Sequence, residues 1–372
     1  MFGWWKNNKN NSKSTSTSSL TEAQLAVIQN FQTDEIPVGL GDLLLDLQLD
    51  GNHLKLQLPF AAQSIVPFLL EQLTAVGFSG QLTLNSVNEL PATIGNIKQI
   101  ILIASGKGGV GKSTTAVNLA VSLAQEGAKT GLLDADIYGP SIPTMLGLYG
   151  AKATSPDDKH LLPQHKFGIF MQSIGFLVDP EAASVWRGPM ASQALLQLIN
   201  ETQWPELDYL VVDMPPGTGD IQLTLAQKLP VAGAIVVTTP QDVALADAKK
   251  GISMFNQVNI PLLGLVENMS YYQCSSCGHI DDIFGSNGGV ELAQRYQVPV
   301  LGQLPLLKAI RECSDNGRPM ALEAHEQTKN SPAENKQCAD IYRKIARQVI
   351  FALYWRGKKI SEQQPQIIMT DD

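Results

Sequence analysis

Hydrophobic and polar positions follow two different rhythms along the chain. Between residues 19 and 87 the rhythm is short and mixed. Leu20–Phe31 has the spacing of a short helix, with Ser19 in the capping position. Leu43, Leu45, Leu47 and Leu49 alternate with other residues, Asp50-Gly51-Asn52 is a turn signal, and Leu54, Leu56 and Leu58 alternate again, which predicts a β-hairpin. Ala61–Val76 reads as a helix with Val66, Leu69, Leu70 and Leu73 on one face, Gly77 at its end and a third strand over Gln81–Leu84. This predicts a small α+β domain over 19–87, containing no cysteine and only one histidine, His53. Residues 88–97, with Pro91 and Gly95, read as a linker. Residues 7–19 contain only Asn, Lys, Ser and Thr, so 1–18 is expected to be a polar tail with nothing to bury.

From residue 98 to the end at 372 the rhythm changes. Continuous apolar runs recur at Ile100–Ala104, Thr130–Leu133, Tyr209–Val212, Ala234–Thr238, Leu262–Val266 and Val300–Leu304, with helix-length segments such as Ser113–Gln125 and Ala244–Val258 between them. Buried strands alternating with helices predict an α/β fold: a mostly parallel central sheet with helices on both faces and ligands at the carboxyl ends of the strands.

Composition narrows the function. With 44% apolar residues among 372, the chain can bury a sizeable core. Its net charge of −8 argues against nucleic acid as a partner, because phosphate binding needs a positive face. No run of uncharged apolar residues reaches the roughly 18 that a membrane span needs. The aromatic N-terminus leads into a polar run rather than an apolar one, so it does not read as a signal peptide. A cytoplasmic protein is the expectation.

The strongest motif is Gly106-Lys107-Gly108-Gly109-Val110-Gly111-Lys112-Ser113-Thr114, which satisfies G-x-x-x-x-G-K-[ST] between an apolar run and a helix. Glycines let backbone N–H groups turn inward around phosphates, and the following helix adds its positive end. Lys112 can reach the β- and γ-phosphates and Ser113 can ligate Mg²⁺. Lys107 is a second lysine, placed near the phosphates but poorly placed to curl into its own site. Asp134 and Asp136 close one apolar run and can orient water or serve Mg²⁺, or, for Asp134 as readily, act as a structural carboxylate. Asp213 ends Tyr209–Val212 in the Walker B arrangement that holds Mg²⁺. The Pro215-Pro216-Gly217 turn behind it reads as a switch loop, in which the Gly217 N–H can meet the γ-phosphate. Asn268 ends another run, where an Asn can also simply form a turn; Pro240-Gln241-Asp242 is a weaker candidate for lining the site.

Four cysteines are too few for a disulfide scaffold. Cys274-Ser275-Ser276-Cys277 places two thiols on one turn, able to grip a metal or two cluster irons, but two thiolates do not complete a four-coordinate site. An Fe–S cluster, zinc and a redox pair all fit this spacing. His279, Cys313 and Cys338 read as bystanders.

The loop form Lys-Gly-Gly-x-Gly-Lys-[Ser/Thr] resembles the deviant Walker A ATPases. That resemblance implies that Lys107 crosses a homodimer interface to act on the partner's ATP, and that Asp136 is the switch I residue positioning the attacking water. Asn268 resembles the adenine-reading Asn of these ATPases. The runs 105–120, Leu133–Gly147, Trp186–Ala191, Asp213–Leu225, Thr238–Asp242 and Glu267–Ser270 ahead of the cysteine pair resemble the Mrp/ApbC family of iron–sulfur carriers over about residues 98–355. The N-terminal pattern resembles, less specifically, the MIP18-like domain of many bacterial members. The family resemblance implies a [4Fe–4S] cluster bridged by Cys274 and Cys277 of two subunits, with slow ATP hydrolysis accompanying its passage from Fe–S scaffold proteins to apo client proteins. Ser275 departs from the Pro that many members carry there. No N-terminal cysteine cluster exists, so a second cluster is not expected. Two other readings share the loop: a MinD- or ParA-like spatial organiser and a zinc-stapled dimeric scaffold. The first would need a membrane-seeking helix, yet Ile341–Tyr354 reads as a core helix ahead of the acidic Thr370-Asp371-Asp372 end.

Overall fold

The computed structural model describes residues 20–88, 90–177, 188–274, 276–324 and 332–363. The polar tail, Ser19, Trp186, Arg187 and the acidic C-terminal end lie outside them. The chain forms two compact units, Met1–Pro59 with Ser64–Val87, and Phe60–Gln63 with Asn88–Asp372.

In the first unit, α1 (Glu22–Asn30) is capped by Thr21. Gln24 N donates to Thr21 Oγ1 at 3.2 Å and Thr21 N to Gln24 Oε1 at 3.0 Å. The helix therefore starts later than the expected Leu20: of the two capping-box patterns in the sequence, Ser19 with Glu22 and Thr21 with Gln24, the second is the one formed. Strands β1 (Asp46–Asp50) and β2 (His53–Leu58) form the expected hairpin, with Gly51 at φ +60° in its two-residue turn. Leu43 precedes the strand and is buried beside a single 3₁₀ turn, Leu40–Asp42. Helix α2 (Val66–Ala75) buries Leu69 and Leu73, and returns the chain to β3 (Gln81–Ser86), which pairs parallel with β2.

The second unit carries an eight-stranded sheet. Its strands are β4 (Ile97–Ala104), β5 (Thr130–Asp134), β6 (Gln164–Lys166), β7 (Ile169–Ser173), β8 (Leu207–Asp213), β9 (Val231–Thr238), β10 (Leu262–Glu267) and β13 (Val300–Gln303); the small hairpin β11 (Tyr272–Gln273) and β12 (Ile280–Asp281) stands apart. The order is β13-β10-β9-β4-β8-β5-β7-β6, and every neighbouring pair is parallel except β6–β7. The sequence pattern does not reveal β6 and β7. The Gln-His-Lys of the edge strand β6 carries no apolar signal, and β7, next to it, is short and ends in polar Gln172 and Ser173. The helices are α3 (Lys112–Gln125), α4 (Ile142–Met145), α5 (Gly188–Glu201), α6 (Asp220–Lys228), α7 (Asp242–Gln257), α8 (Gly288–Tyr296), α9 (Lys308–Asp315) and α10 (Ala333–Gln363).

The central strands read as apolar runs because they are covered on both sides: Ile100, Ile101, Leu102, Ile103, Leu210, Val211 and Val212 are all fully buried. Helix α10 presses Tyr342, Ile345, Val349 and Leu353 into the core, as its apolar stripe predicts. Among the described residues no helix is long and apolar enough to cross a membrane. The topology puts Asp134 opposite Asp213 in register and Ile103 opposite Asp213, so the ends of β4, β5 and β8 converge.

Candidate functional site

The loop Gly106–Thr114 leaves the end of β4 and enters α3, whose cap residue Gly111 has φ +88°. A side chain at Gly111 would put its Cβ 2.1 Å from Asn268 Nδ2, so glycine is required both by conformation and by close approach. At Gly106 a Cβ would fall 2.2 Å from the backbone of Asp247. A cavity of about 420 Å³ opens over the loop. It is lined by Gly108, Gly109, Gly111, Lys112, Ser113 and Thr114, together with Asp136, Pro216 and Asn268. These predicted residues, scattered over more than a hundred positions, thus meet around one space. Pro240, Gln241 and Asp242 are not among its lining residues.

Lys112 is nearly buried and lies among carboxylates: its Nζ is 2.7 Å from Asp213 Oδ1, 3.7 Å from Asp136 Oδ2 and 3.3 Å from Ser113 Oγ. Burial pushes the Asp213 carboxyl up, while the Lys112 ammonium and the Ser113 hydroxyl pull it back. Burial also raises Asp136, against the same ammonium. Asp134 does not line the cavity. It is fully buried behind it, accepting from Asp136 N, Ile142 N and Ser173 Oγ at 3.1–3.2 Å, and burial and the nearby Asp213 push it up to about 8. These bonds tie Asp134 to the turn after β5 and to Ser173.

Gly217 adopts φ +98°, and its N–H donates to Ser105 O at 2.9 Å rather than pointing free. Gln222 Nε2 fastens the turn by donating to Pro216 O at 2.6 Å. Asn268 donates from Nδ2 to Val110 O at 2.9 Å, which ties the end of β10 to the loop. Lys107 is half-buried, and among the described residues no carboxylate pairs with it.

Sequence reasoning misses one wall of the site and one buried residue outside the cavity. Helix α9 supplies Ile310, Arg311, Ser314 and Asp315 to the cavity wall, and Pro305–Leu307 leads into it. Its place beside the loop depends on β13 pairing with β10, which no local pattern announces. The second is Glu267, a fully buried carboxyl that ends an apolar run just ahead of the cysteine pair.

Cys274 and Cys277 lie outside the cavity, at the tip of the β11–β12 hairpin. Two backbone bonds close the tip: Cys274 N donates to His279 O at 2.9 Å and Gly278 N to Cys274 O at 2.8 Å. Gly278 takes φ +73° there. Cys277 is exposed and Cys274 partly so, and the amides of Ser276 and Cys277 hold the Cys274 thiol below its usual range. Among the described residues no group of three or more His, Cys, Asp or Glu could hold a metal ion, so the pair offers two sulfurs and no further ligand from the described part of its own chain.

Residues 96–350 match the model of the NUBPL iron-transfer P-loop NTPases. The chain belongs to that family. Over 324 residues it is 52% identical to the iron-sulfur cluster carrier protein of Escherichia coli, covering 84% of this chain and 85% of the relative. It is 52% identical to the mouse iron-sulfur cluster transfer protein NUBPL over 231 residues, 62% of this chain and 72% of the relative. Among solved structures, the nucleotide-binding protein of Archaeoglobus fulgidus in complex with ADP is 36% identical, with a TM-score of 0.54 over 65% of this chain and 93% of that one. This NUBPL-type NTPase thus belongs to a P-loop NTPase family and resembles in fold a structure that holds a nucleotide.

The four thiols of this NTPase differ in environment, and their reactivity should follow. Burial, then the neighbouring Cys313, pushes Cys338 up to about 12, and burial raises Cys313. A raised thiol has little thiolate at neutral pH, and the thiolate is what alkylates. In the folded, cluster-free protein at roughly neutral pH, iodoacetamide should label Cys274 and Cys277 first, Cys313 slowly and Cys338 only after unfolding. Mass spectrometry that finds Cys338 labelled as fast as the hairpin pair would contradict this.

Proposed function

We propose that the protein is an ATP-hydrolysing iron–sulfur cluster carrier that works as a homodimer and passes a [4Fe–4S] cluster, its cargo, from Fe–S scaffold proteins to apo client proteins. The observation that carries this reading is the exposed Cys274–Cys277 knuckle. It presents two sulfurs, its backbone favours the Cys274 thiolate, and its own chain adds no third ligand among the described residues. A second copy of the same knuckle would complete a set of four thiolates. Names of the relatives point the same way.

Lys107 fits the role of a residue acting across the dimer, since it flanks the loop without an ion-pair partner among the described residues. Mg²⁺ fits Ser113 and Asp213: Asp213 Oδ2 is buried with no hydrogen-bond partner among the described residues, beside the Ser113 hydroxyl. Bound there, the cation would neutralise charge on the β- and γ-phosphates. Asp136, at the cavity wall, is read as the residue that orients the attacking water, and Asn268 as the one that reads the base. Residues 19–87 are read as the MIP18-like domain, 88–97 as the linker and 98–372 as the ATPase. A cytoplasmic location follows the same reading. The MinD-like alternative loses its support, because the apolar stripe of α10 is buried in the core rather than available to a membrane.

The test is anaerobic reconstitution with iron and sulfide, followed by mixing with an apo [4Fe–4S] enzyme. The expected result is the broad visible absorption of a [4Fe–4S] cluster on a dimer, with activity appearing in the client enzyme. A featureless spectrum with zinc retained would sink the proposal in favour of a zinc-stapled scaffold.

A further inference from the structure

The knuckle and the nucleotide cavity are separate places, yet one short stretch of chain serves both. Asn268, which binds the loop at Val110 O, is followed by Met269, a non-glycine residue at φ +55°. Ser270 and Tyr271 come next, and Cys274 follows three residues later. This stretch is zipped to the segment after β13. Leu304 N donates to Glu267 O and Ser270 N to Leu304 O, both at 2.9 Å, and Leu306 N donates to Tyr271 O at 2.7 Å. Both sides of the zip, Asn268 and Met269 on one and Pro305 and Leu306 on the other, line the nucleotide cavity.

Glu267 fastens the whole excursion at its root. Its fully buried side chain accepts through Oε1 from Ser270 Oγ and Gln303 Nε2, both at 2.9 Å, and through Oε2 from Gly289 N. Ser270 is where the cysteine-bearing segment leaves the sheet, and Gly289 is where it returns, in the first turn of α8. The approach is so close that a Cβ on Gly289 would fall 2.5 Å from Glu267 Oε2. The helix N-terminus adds its positive end to the same carboxyl.

The structure assigns Glu267 as a positioning residue that clamps both ends of the Cys274–Cys277 excursion to the strand that contacts the nucleotide loop, so that nucleotide occupancy is transmitted to the cysteine pair. This deepens the carrier reading and rests on it for its purpose. A nucleotide that presses on Asn268 and Met269 moves the zip, and the clamp forces the root of the hairpin to move with it. Without the clamp the hairpin would hang from the sheet by its backbone and no longer follow the cavity.

The test uses the full-length, cluster-free protein and reads iodoacetamide labelling of Cys274 and Cys277 with and without a non-hydrolysable ATP analogue and Mg²⁺. In the wild type the two rates should differ by at least about 5-fold, the lower end of ordinary site-to-site coupling. In Glu267→Gln, whose amide offers one acceptor oxygen where the carboxylate uses two, the ratio should fall to near one while analogue affinity holds. A purely structural role would change both rates in parallel and leave their ratio intact. If Glu267→Gln does not melt cooperatively, Ser270→Ala carries the test, with the ratio expected to fall to less than half the wild-type value. Wild-type cysteines indifferent to the analogue would overturn the assignment, as would a folded, analogue-binding variant that keeps the wild-type ratio. Loss of the carrier reading would instead appear as failed cluster reconstitution, which this labelling does not involve.

Discussion

Replacing Lys112 by alanine is expected to lower ATP turnover by at least about 100-fold, the usual consequence of deleting one charge-stabilising group from a transition state. Lys112 is the cation at the floor of the cavity, and its ammonium already sits 2.7 Å from Asp213 and 3.7 Å from Asp136. A variant that turned over ATP at the wild-type rate would refute the assignment of the loop. The same substitution should also change stability in a pH-dependent way. Lys112 is the largest influence pulling the Asp213 and Asp136 carboxyls down against burial. Without it both rise further above their unfolded values, so the folded state binds their protons more tightly. Such a group contributes stability below the unfolded pKa and loses it as pH rises toward the folded one. The deficit of Lys112→Ala relative to wild type should therefore grow from about pH 5 to about pH 8, reaching roughly 3–5 kcal/mol, the cost of breaking a buried pair. Thermal melts at both pH values, without nucleotide, measure it. A deficit that shrinks as pH rises would show that the ammonium is not what compensates these carboxyls.

The double variant Cys274→Ser, Cys277→Ser is expected to bind iron and sulfide only at background level after reconstitution, because both sulfurs that each chain's knuckle offers are gone. Its fold should be kept. The hairpin tip is closed by Cys274 N to His279 O and Gly278 N to Cys274 O, bonds that serine makes equally well. Its Tm should match that of the wild type. Visible absorption equal to that of the reconstituted wild type would place the cluster elsewhere on the chain.

Much of this architecture is legible in the order of residues alone. The loop announces itself because phosphate binding needs glycines and a lysine in one unbroken stretch, which the chain must spell out locally. The strands announce themselves because burial on both faces demands continuous apolar runs. Asp213 stands out as the carboxylate that ends such a run, and the Cys-x-x-Cys pair as two thiols on one turn. The hairpin β6–β7 is not legible: the edge strand β6 is three polar residues, and the buried β7 is a short Ile-Phe-Met-Gln-Ser in which polar Gln172 and Ser173 break the apolar run. The first helix begins after Thr21 rather than at Leu20: Ser19 with Glu22 and Thr21 with Gln24 both fit the capping box, and the local pattern does not say which of the two forms.

By itself, then, the sequence determined the elements, the parallel sheet and the residues suited to touch phosphate and metal, because each of these rests on local periodicity or on a contiguous motif. Only the tertiary structure decided which aspartate stands at the cavity and which is a buried brace: Asp134 and Asp136 are two residues apart, but strand pairing buries one and leaves the other at the cavity wall. Only the tertiary structure brought α9 to the nucleotide side and Glu267 against both ends of the cysteine segment. Those contacts join Glu267 to Gly289 and Gln303 across the fold, and their distances depend on how strands order themselves in a sheet rather than on any pattern within a stretch of chain.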